Sequence, residues 1–295
     1  MTAILIGTFT PGSPEWHAAR ADGLGGSEIG AVLGLSPFDS RFALWHRKAG
    51  NIAEVEESPE MEWGKRLEPV ILGKYRDEHP DVDFDVVNGT FRHVDRPWQI
   101  ANPDLLAADR VIDAKFSLFG DGWGELGTDE VPPHIRCQGI WYADVLGVDR
   151  IDFAVLVGGC DYREYVVEFD AAEAQELRDA AVEFLDSIAL GHRPDIDAHS
   201  ATYSAIKELH PDIDPTEVEL GNTTAREFIT AKAAEKEAKA RAQLATSVLA
   251  DEMGTAQRAV WDGETIARRQ ARGGGLPYVV AARNLPALAQ EGVPA

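Results

Sequence analysis

Apolar residues return at helical spacing between positions 60 and 79, where Trp63, Leu67, Val70, Ile71 and Tyr75 share one face, and this predicts a helix over 60–79. Pro69 lies inside it and is expected to kink it, because proline removes a backbone hydrogen bond and crowds the preceding turn. Upstream, 15–50 predicts two short helices. Gly25-Gly26-Ser27 caps the apolar run Ile29, Ala31, Val32 and Leu33, and Ser40 caps Phe42, Leu44 and Trp45, with Gly34 and Gly50 as the stops. Between 82 and 116 the period drops to two. Segments 82–86, 90–94, 98–101 and 110–115 read as strands of a meander turning at Asn88-Gly89, Arg96-Pro97 and Ala108-Asp109. A glycine-rich loop over 118–133 leads to a helix over 134–146. Strands at 151–157 and 162–169 then flank a Gly158-Gly159 turn, and a helix over 171–190 ends at Gly191-His192-Arg193-Pro194.

The pattern weakens after that point. Residues 195–222 are acidic and punctuated by proline, as a linker would be, and 223–253 is a long helix rich in alanine, lysine and glutamate. Its apolar positions are mostly alanine, which suits a thin helical hairpin or an oligomer contact better than a strong coiled coil. A β-hairpin with one further strand closes the chain. The expected organisation is a core over 1–194, an acidic linker over 195–222 and a helical and β-hairpin tail over 223–295. The fold class is α/β (α+β), with a mixed sheet flanked by helices.

Composition narrows the function. The chain has 295 residues, 44% hydrophobic and 26% charged, which is ordinary for a globular protein. Cys137 and Cys160 are its two cysteines, so neither an iron-sulfur cluster, a four-cysteine zinc site nor a disulfide framework is expected. No stretch approaches the ~20 apolar residues that span a bilayer, and a reduced, cytoplasmic setting is expected. The net charge of −22 argues against a protein that coats nucleic acid nonspecifically. That charge is uneven, with 5 basic and 18 acidic side chains over 149–219 but near balance over 15–48, so any nucleic acid must bind locally. Gly23-Leu24-Gly25-Gly26 lacks the dinucleotide fingerprint and no phosphate-binding GxxxxGK[ST] loop occurs, which excludes a nucleotide cofactor and ATP-driven unwinding.

Four stretches carry the chemistry. Phosphodiester hydrolysis needs a hard cation, an activated water and a positive charge for the transition state. Asp104 follows Pro103 in a turn, and a short hairpin over 105–112, with Asp109 in its turn, can return it beside Asp113. Asp113 and Lys115 stand two apart on a strand and so share a face, while Ala114 points into packing and leaves its carbonyl available to a metal. Glu68 flanks the apolar stripe of the helix over 60–79, and Gln138 lies on the helix over 134–146. Singly, each is commonplace as a strand ion pair, a proline turn, a hydrated glutamate or a surface amide. Their order and spacing together point to a magnesium-dependent nuclease.

That order resembles the YqaJ-like and lambda-exonuclease-like viral recombinases, a branch of the PD-(D/E)xK nuclease superfamily. The resemblance spans about 15–170 and rests on Trp16-His17-Ala18-Ala19-Arg20, the run from Gly25 to Phe38, Gly64-Lys65-Arg66-Leu67-Glu68-Pro69, Asn102-Pro103-Asp104 with Asp113-Ala114-Lys115, Pro132 to Gln138, and Gly147-Val148-Asp149-Arg150. It implies a restriction-endonuclease-like core and one or two Mg2+ ions, or Mn2+, held by Asp104, Asp113, the Ala114 backbone carbonyl and Glu68. Lys115 would orient or deprotonate the attacking water, Gln138 would position metal, water or phosphate, and Arg20 and Ser27 would hold a terminal 5′ phosphate. Ser27 also has a physical case at a helix N-terminus. Leu105 and Asp113 stand where the family commonly has glycine and glutamate, so the second acid is one methylene shorter.

The resemblance further implies 5′ to 3′ degradation of one strand at duplex DNA ends, leaving a 3′ single strand for a strand-annealing recombinase. It also implies a ring-shaped homo-oligomer, encoded by a phage or prophage and working in the bacterial cytoplasm. Two other classes fit the same residues: an endonuclease or nickase in DNA processing, and a non-catalytic DNA-binding scaffold on the same fold.

Overall fold

The computed structural model describes residues 2–10, 12–85 and 89–288. They form two compact units, Met1–Ile213 and Asp214–Ala295. Val86 of the expected strand over 82–86, Asn88 of the expected Asn88-Gly89 turn and residues 289–295 of the tail lie outside the described residues.

The first half of the first unit runs β1 (Ala3–Thr8), α1 (Pro14–Arg20), β2 (Leu24–Gly25), α2 (Gly26–Val32), α3 (Arg41–Lys48), α4 (Pro59–Glu78), β3 (Phe84–Asp85), β4 (Gly89–His93) and β5 (Gln99–Ala101). The second half continues with β6 (Leu105–Ala107), β7 (Arg110–Ser117), α5 (Pro133–Leu146), β8 (Arg150–Val157), β9 (Asp161–Glu168), α6 (Ala171–Ala189) and α7 (Ser200–Leu209).

The central sheet has the order β3-β6-β7-β8-β9 and is mixed: β7 and β8 run parallel while the other neighbours are antiparallel. Alternation along β7 assigns its side chains to two cores. Ile112 packs with Ile71, Leu72 and Tyr75 of α4, whereas Val111 joins the larger core with Ile140 and Trp141 of α5 and Phe184 of α6. The sheet is thus covered by helices on both faces, as a mixed α/β core requires.

The expected single meander is divided between two sheets. β4 and β5 pair with each other in a second sheet of order β1-β4-β5-β2, and only β3, β6 and β7 belong to the central one. The chain crosses from one sheet to the other at Asn102-Pro103-Asp104, where Pro103 has no N–H to continue a ladder. The 15–50 region holds three helices rather than two, because α1 starts at a Ser13 cap and a Pro14 first position. Ser40 caps α3 as expected, accepting from the Ala43 N–H. Pro69 lies inside α4 without ending it.

The segment expected to be linker, 195–222, is only partly so. Ala205 of α7 packs on Phe42 and Ala43 of α3, and Thr202 Oγ1 donates to Ser40 Oγ at 2.7 Å. An apolar stripe of Ala201, Ala205, Ile206 and Leu209 lies among the acids of this segment, so the first unit extends to Ile213. The second unit comprises α8 (Asn222–Met253) and the antiparallel sheet β10 (Arg258–Trp261), β11 (Glu264–Gln270) and β12 (Tyr278–Ala281). No helix among the described residues is long and apolar enough to cross a membrane.

Candidate active site

β6 and β7 form the short hairpin, with Leu105 opposite Ile112 and Leu106 opposite Val111. It brings Asp104 back to β7, where Asp104 Oδ2 accepts the Ala114 N–H at 2.7 Å. Asp113 and Lys115 fall on the same face of β7 as Val111, and Ala114 packs on the α4 side. Asp113 is 2% exposed and forms an ion pair with Lys115.

Like charge accounts for the electrostatics. Burial, then Asp113 and Glu68, hold the Asp104 carboxyl well above the usual carboxylate range, against Lys115 and the Ala114 amide. Burial and Asp113 likewise push Glu68 up, opposed by Lys115 and Lys65. Burial works against the Lys115 ammonium, but Asp113, Asp104 and Glu68 outweigh it and the amine is held charged. Three carboxylates around one ammonium leave an excess of negative charge.

The donor set suits a hard divalent cation, since all its members are oxygens and the three carboxylates exceed the one ammonium in charge. Among the described residues no three His, Cys, Asp or Glu side chains already converge as a closed ligand cluster, and the Lys115 ammonium lies against Asp113. Gln138 is buried on α5 and donates through Nε2 to Tyr142 Oη at 3.0 Å. Burial, then Asp113 and Asp104, push the Tyr142 phenol up, so this pair borders the carboxylates. His134, one turn earlier on α5, has its imidazole pushed down by burial and then by Lys115.

Arg20 and Ser27 also meet. Arg20 is buried, lies 4.1 Å from the centre of the Trp16 ring and donates through Nη2 to Ser27 Oγ at 3.3 Å. The helix N-cap is Gly25, not Ser27: the Glu28 carboxylate reaches back to the Gly25 N–H at 2.6 Å, and Ser27 is left exposed in the first turn. Glu28 is the hub, ion-paired to Arg20 at 3.1 Å and to Lys48 at 2.9 Å. Burial raises its pKa, but Arg20, Lys48 and the Gly25 amide bring it down to about 2. Arg20 Nη1 donates to Asn102 Oδ1 at 3.4 Å, which joins this cluster to the turn that carries Asp104.

Sequence reasoning missed Glu28, Lys48, Tyr142 and His134. Two signals were present: the Gly25-x-x-Glu28 spacing of a helix start, and the one-turn spacing of His134, Gln138 and Tyr142.

Residues 15–149 match the family profile described as the YqaJ-like viral recombinase domain. The uncharacterized protein YqaJ of Bacillus subtilis (strain 168) is 26% identical over 209 residues, covering 66% of this chain. The match spans 63% of that relative's length. The fold is similar to that of LHK-Exo in complex with dAMP, with a TM-score of 0.50, 21% identity, and coverage of 61% of this chain and 94% of that one. A second structure of LHK-Exo, an alkaline exonuclease from Laribacter hongkongensis, gives a TM-score of 0.49 at 20% identity, with coverage of 61% of this chain and 94% of that one.

Proposed function

We propose, from a chain that carries a YqaJ-like viral recombinase domain over residues 15–149, that this protein is a metal-dependent deoxyribonuclease acting at the ends of duplex DNA. The observation that carries the reading is the set of buried Asp113 with half-buried Asp104 and Lys115 on one hairpin, with Glu68 close enough to raise the pKa of Asp104. Such a frustrated group of acids has no structural merit of its own, and a phosphate-cleaving site explains it.

Asp104, Asp113, the Ala114 carbonyl and Glu68 would hold Mg2+, or Mn2+ in its place. The cation would neutralise charge on the phosphoryl oxygens and favour formation of a nucleophile from water. Lys115, held as the ammonium, orients that water and offers positive charge to the transition state. Gln138, fixed by Tyr142, positions the scissile phosphate. Arg20 and Ser27 receive a terminal 5′ phosphate, and Asn102 couples them to the Asp104 turn. This arrangement supports 5′ to 3′ degradation that leaves a 3′ single strand, the product a strand-annealing recombinase would use. A ring-shaped homo-oligomer that encloses the DNA completes the reading.

The test is digestion of linear duplex with and without a 5′ phosphate, beside a closed circle of the same sequence, in Mg2+ or EDTA. The expected result is nucleotide release from the phosphorylated linear duplex in Mg2+ alone. Cleavage of the closed circle would make the protein an endonuclease, and cleavage in EDTA would remove the metal from the reaction.

A further inference from the structure

The turn that follows α2 carries a side chain that the fold does not use. Phe38, at 81%, is the most exposed aromatic ring among the described residues. A lone exposed phenylalanine on a loose loop needs no explanation, but this loop is tied down. The Leu35 and Ser36 N–H groups donate to the Gly30 carbonyl at 2.8 and 3.1 Å, and Ser36 Oγ accepts the Phe38 and Asp39 N–H groups, each at 3.2 Å. Asp39 is held in turn by Arg47 at 2.8 Å and accepts the Ser40 N–H at 2.9 Å, while Pro37 fixes its own φ. The ring is thus presented to solvent on a fixed support, which lowers the ordering entropy that binding costs.

Its position ties it to the candidate site. The Phe38 and His134 rings meet edge to face with centroids 5.7 Å apart, and the imidazole of His134, one turn before Gln138, feels the Lys115 charge. Gly30 sets this contact, because a Cβ there would fall 2.9 Å from His134 Cβ, so α2 and α5 approach closely at this point. The loop also belongs to 15–48, where charge is balanced in a chain of net charge −22, and a nucleic acid can approach it. A phenyl ring offers a phosphate nothing, however, and Phe38 borders a hollow that carries Glu54, Glu56 and Glu208, which repel a phosphate chain. The part of a nucleotide that suits the ring is the face of its base. We propose that Phe38 is a platform on which a terminal nucleobase of the strand being cut stacks, with His134 backing the ring. The proposal rests on the reading of Asp104, Asp113 and Lys115 as a DNA-cleaving site, and adds a contact that holds the base rather than the phosphate.

Anisotropy of a short 5′-phosphorylated duplex, fluorescein-labelled at its far end and titrated with the full chain in EDTA, reads binding without cleavage. Phe38→Ala should weaken binding roughly tenfold or more, and Phe38→Trp should restore it. An abasic residue at one of the first few nucleotides of the phosphorylated strand should cost the wild type as much and cost Phe38→Ala almost nothing, a coupling that a merely structural residue would not show. Phe228→Ala, which removes an exposed ring from α8, should leave the affinity unchanged. Unchanged affinity in Phe38→Ala, a loss that is equal on intact and abasic duplexes, or a wild type that does not bind the duplex would overturn the proposal. A changed oligomeric mass in Phe38→Ala with DNA binding intact would also overturn it, and reassign the ring to contacts between copies of this chain. Cleavage in Mg2+ separates the two readings. A wild type that shows the coupling but cuts nothing would remove the hydrolytic reading and leave the platform, whereas one that cuts without the coupling would remove the platform alone.

Discussion

Replacing Asp104 with asparagine should stabilise the metal-free protein while abolishing cleavage. Asp104 lies beside Asp113 and Glu68, and burial with that like charge raises its pKa well above the usual range. Its Oδ2 accepts one hydrogen bond, from the Ala114 N–H at 2.7 Å, and the asparagine carbonyl oxygen can accept it in turn. The substitution therefore removes repulsion and keeps the backbone contact. Relief of an active-site strain of this kind is worth about 0.5–2 kcal/mol. For a unit the size of Met1–Ile213, that corresponds to a rise in Tm of about 1–8 °C. A carboxyl whose folded pKa is raised contributes stability at acid pH that is lost as pH climbs through the unfolded and then the folded pKa. The advantage of Asp104→Asn should thus be largest at neutral pH and fade on acidification. Mg2+ should reverse the order: an ion at 100 times its Kd stabilises the wild type by about 2.7 kcal/mol, and the variant gains much less. Tryptophan-fluorescence melts in EDTA and in Mg2+, from pH 4 to 8, read all of this. A variant less stable than wild type in EDTA at neutral pH, or one with an equal Mg2+ shift, would refute the reasoning.

Three further outcomes follow from the geometry. Glu28→Gln should destabilise the protein at pH 7 by about 3 kcal/mol, the worth of a folded pKa of about 2 against an ordinary 4.5. Because that pKa is depressed, the difference between wild type and variant should persist above pH ~4.5 and disappear as pH falls through about 2, as urea titrations at several pH values would show. Gly26→Ala should cost about 1–3 kcal/mol, since a Cβ there would lie 2.6 Å from Tyr142 Cε1 and 2.9 Å from Cδ1; denaturant melts read the loss, and cleavage should fall with it because Tyr142 holds Gln138. Tyr142→Phe keeps the packing but removes the acceptor of Gln138, so Tm should move by only about 1 kcal/mol equivalent while the cleavage rate drops more steeply than DNA affinity.

Much of the central sheet was legible because period-two alternation in a half-buried strand is a strong signal. The strands on either side of the Gly158-Gly159 turn follow from it directly, whereas β6 carries no alternation of its own and the short 105–112 hairpin was expected from the spacing of Asp104 and Asp113. What alternation cannot encode is which sheet a strand joins, and so β4 and β5 were expected beside β7 when they pair with β1 and β2. β1 went unread because its exposed Ile4 and Leu5 carry no alternation of burial. α7 was hidden by its neighbours, since a few small apolar residues in an acidic stretch look like linker until Phe42 supplies a surface for them. At the candidate site, Asp104, Asp113 and Lys115 are close in sequence and were found together. Glu28 and Lys48 meet Arg20 only through the packing of three separate helices, and their pairing is a tertiary fact.

The central claim is that Lys115, beside Asp113 and Asp104, acts in the chemical step rather than in holding the sheet or the DNA. Single-turnover cleavage of a 5′-phosphorylated linear duplex in Mg2+ by wild type and Lys115→Ala, with duplex affinity measured in parallel, tests it most directly. The account predicts a rate lower by about 10²–10⁴ with affinity nearly unchanged. A variant that cuts at the wild-type rate, or one whose loss of rate is matched by loss of binding, would contradict it.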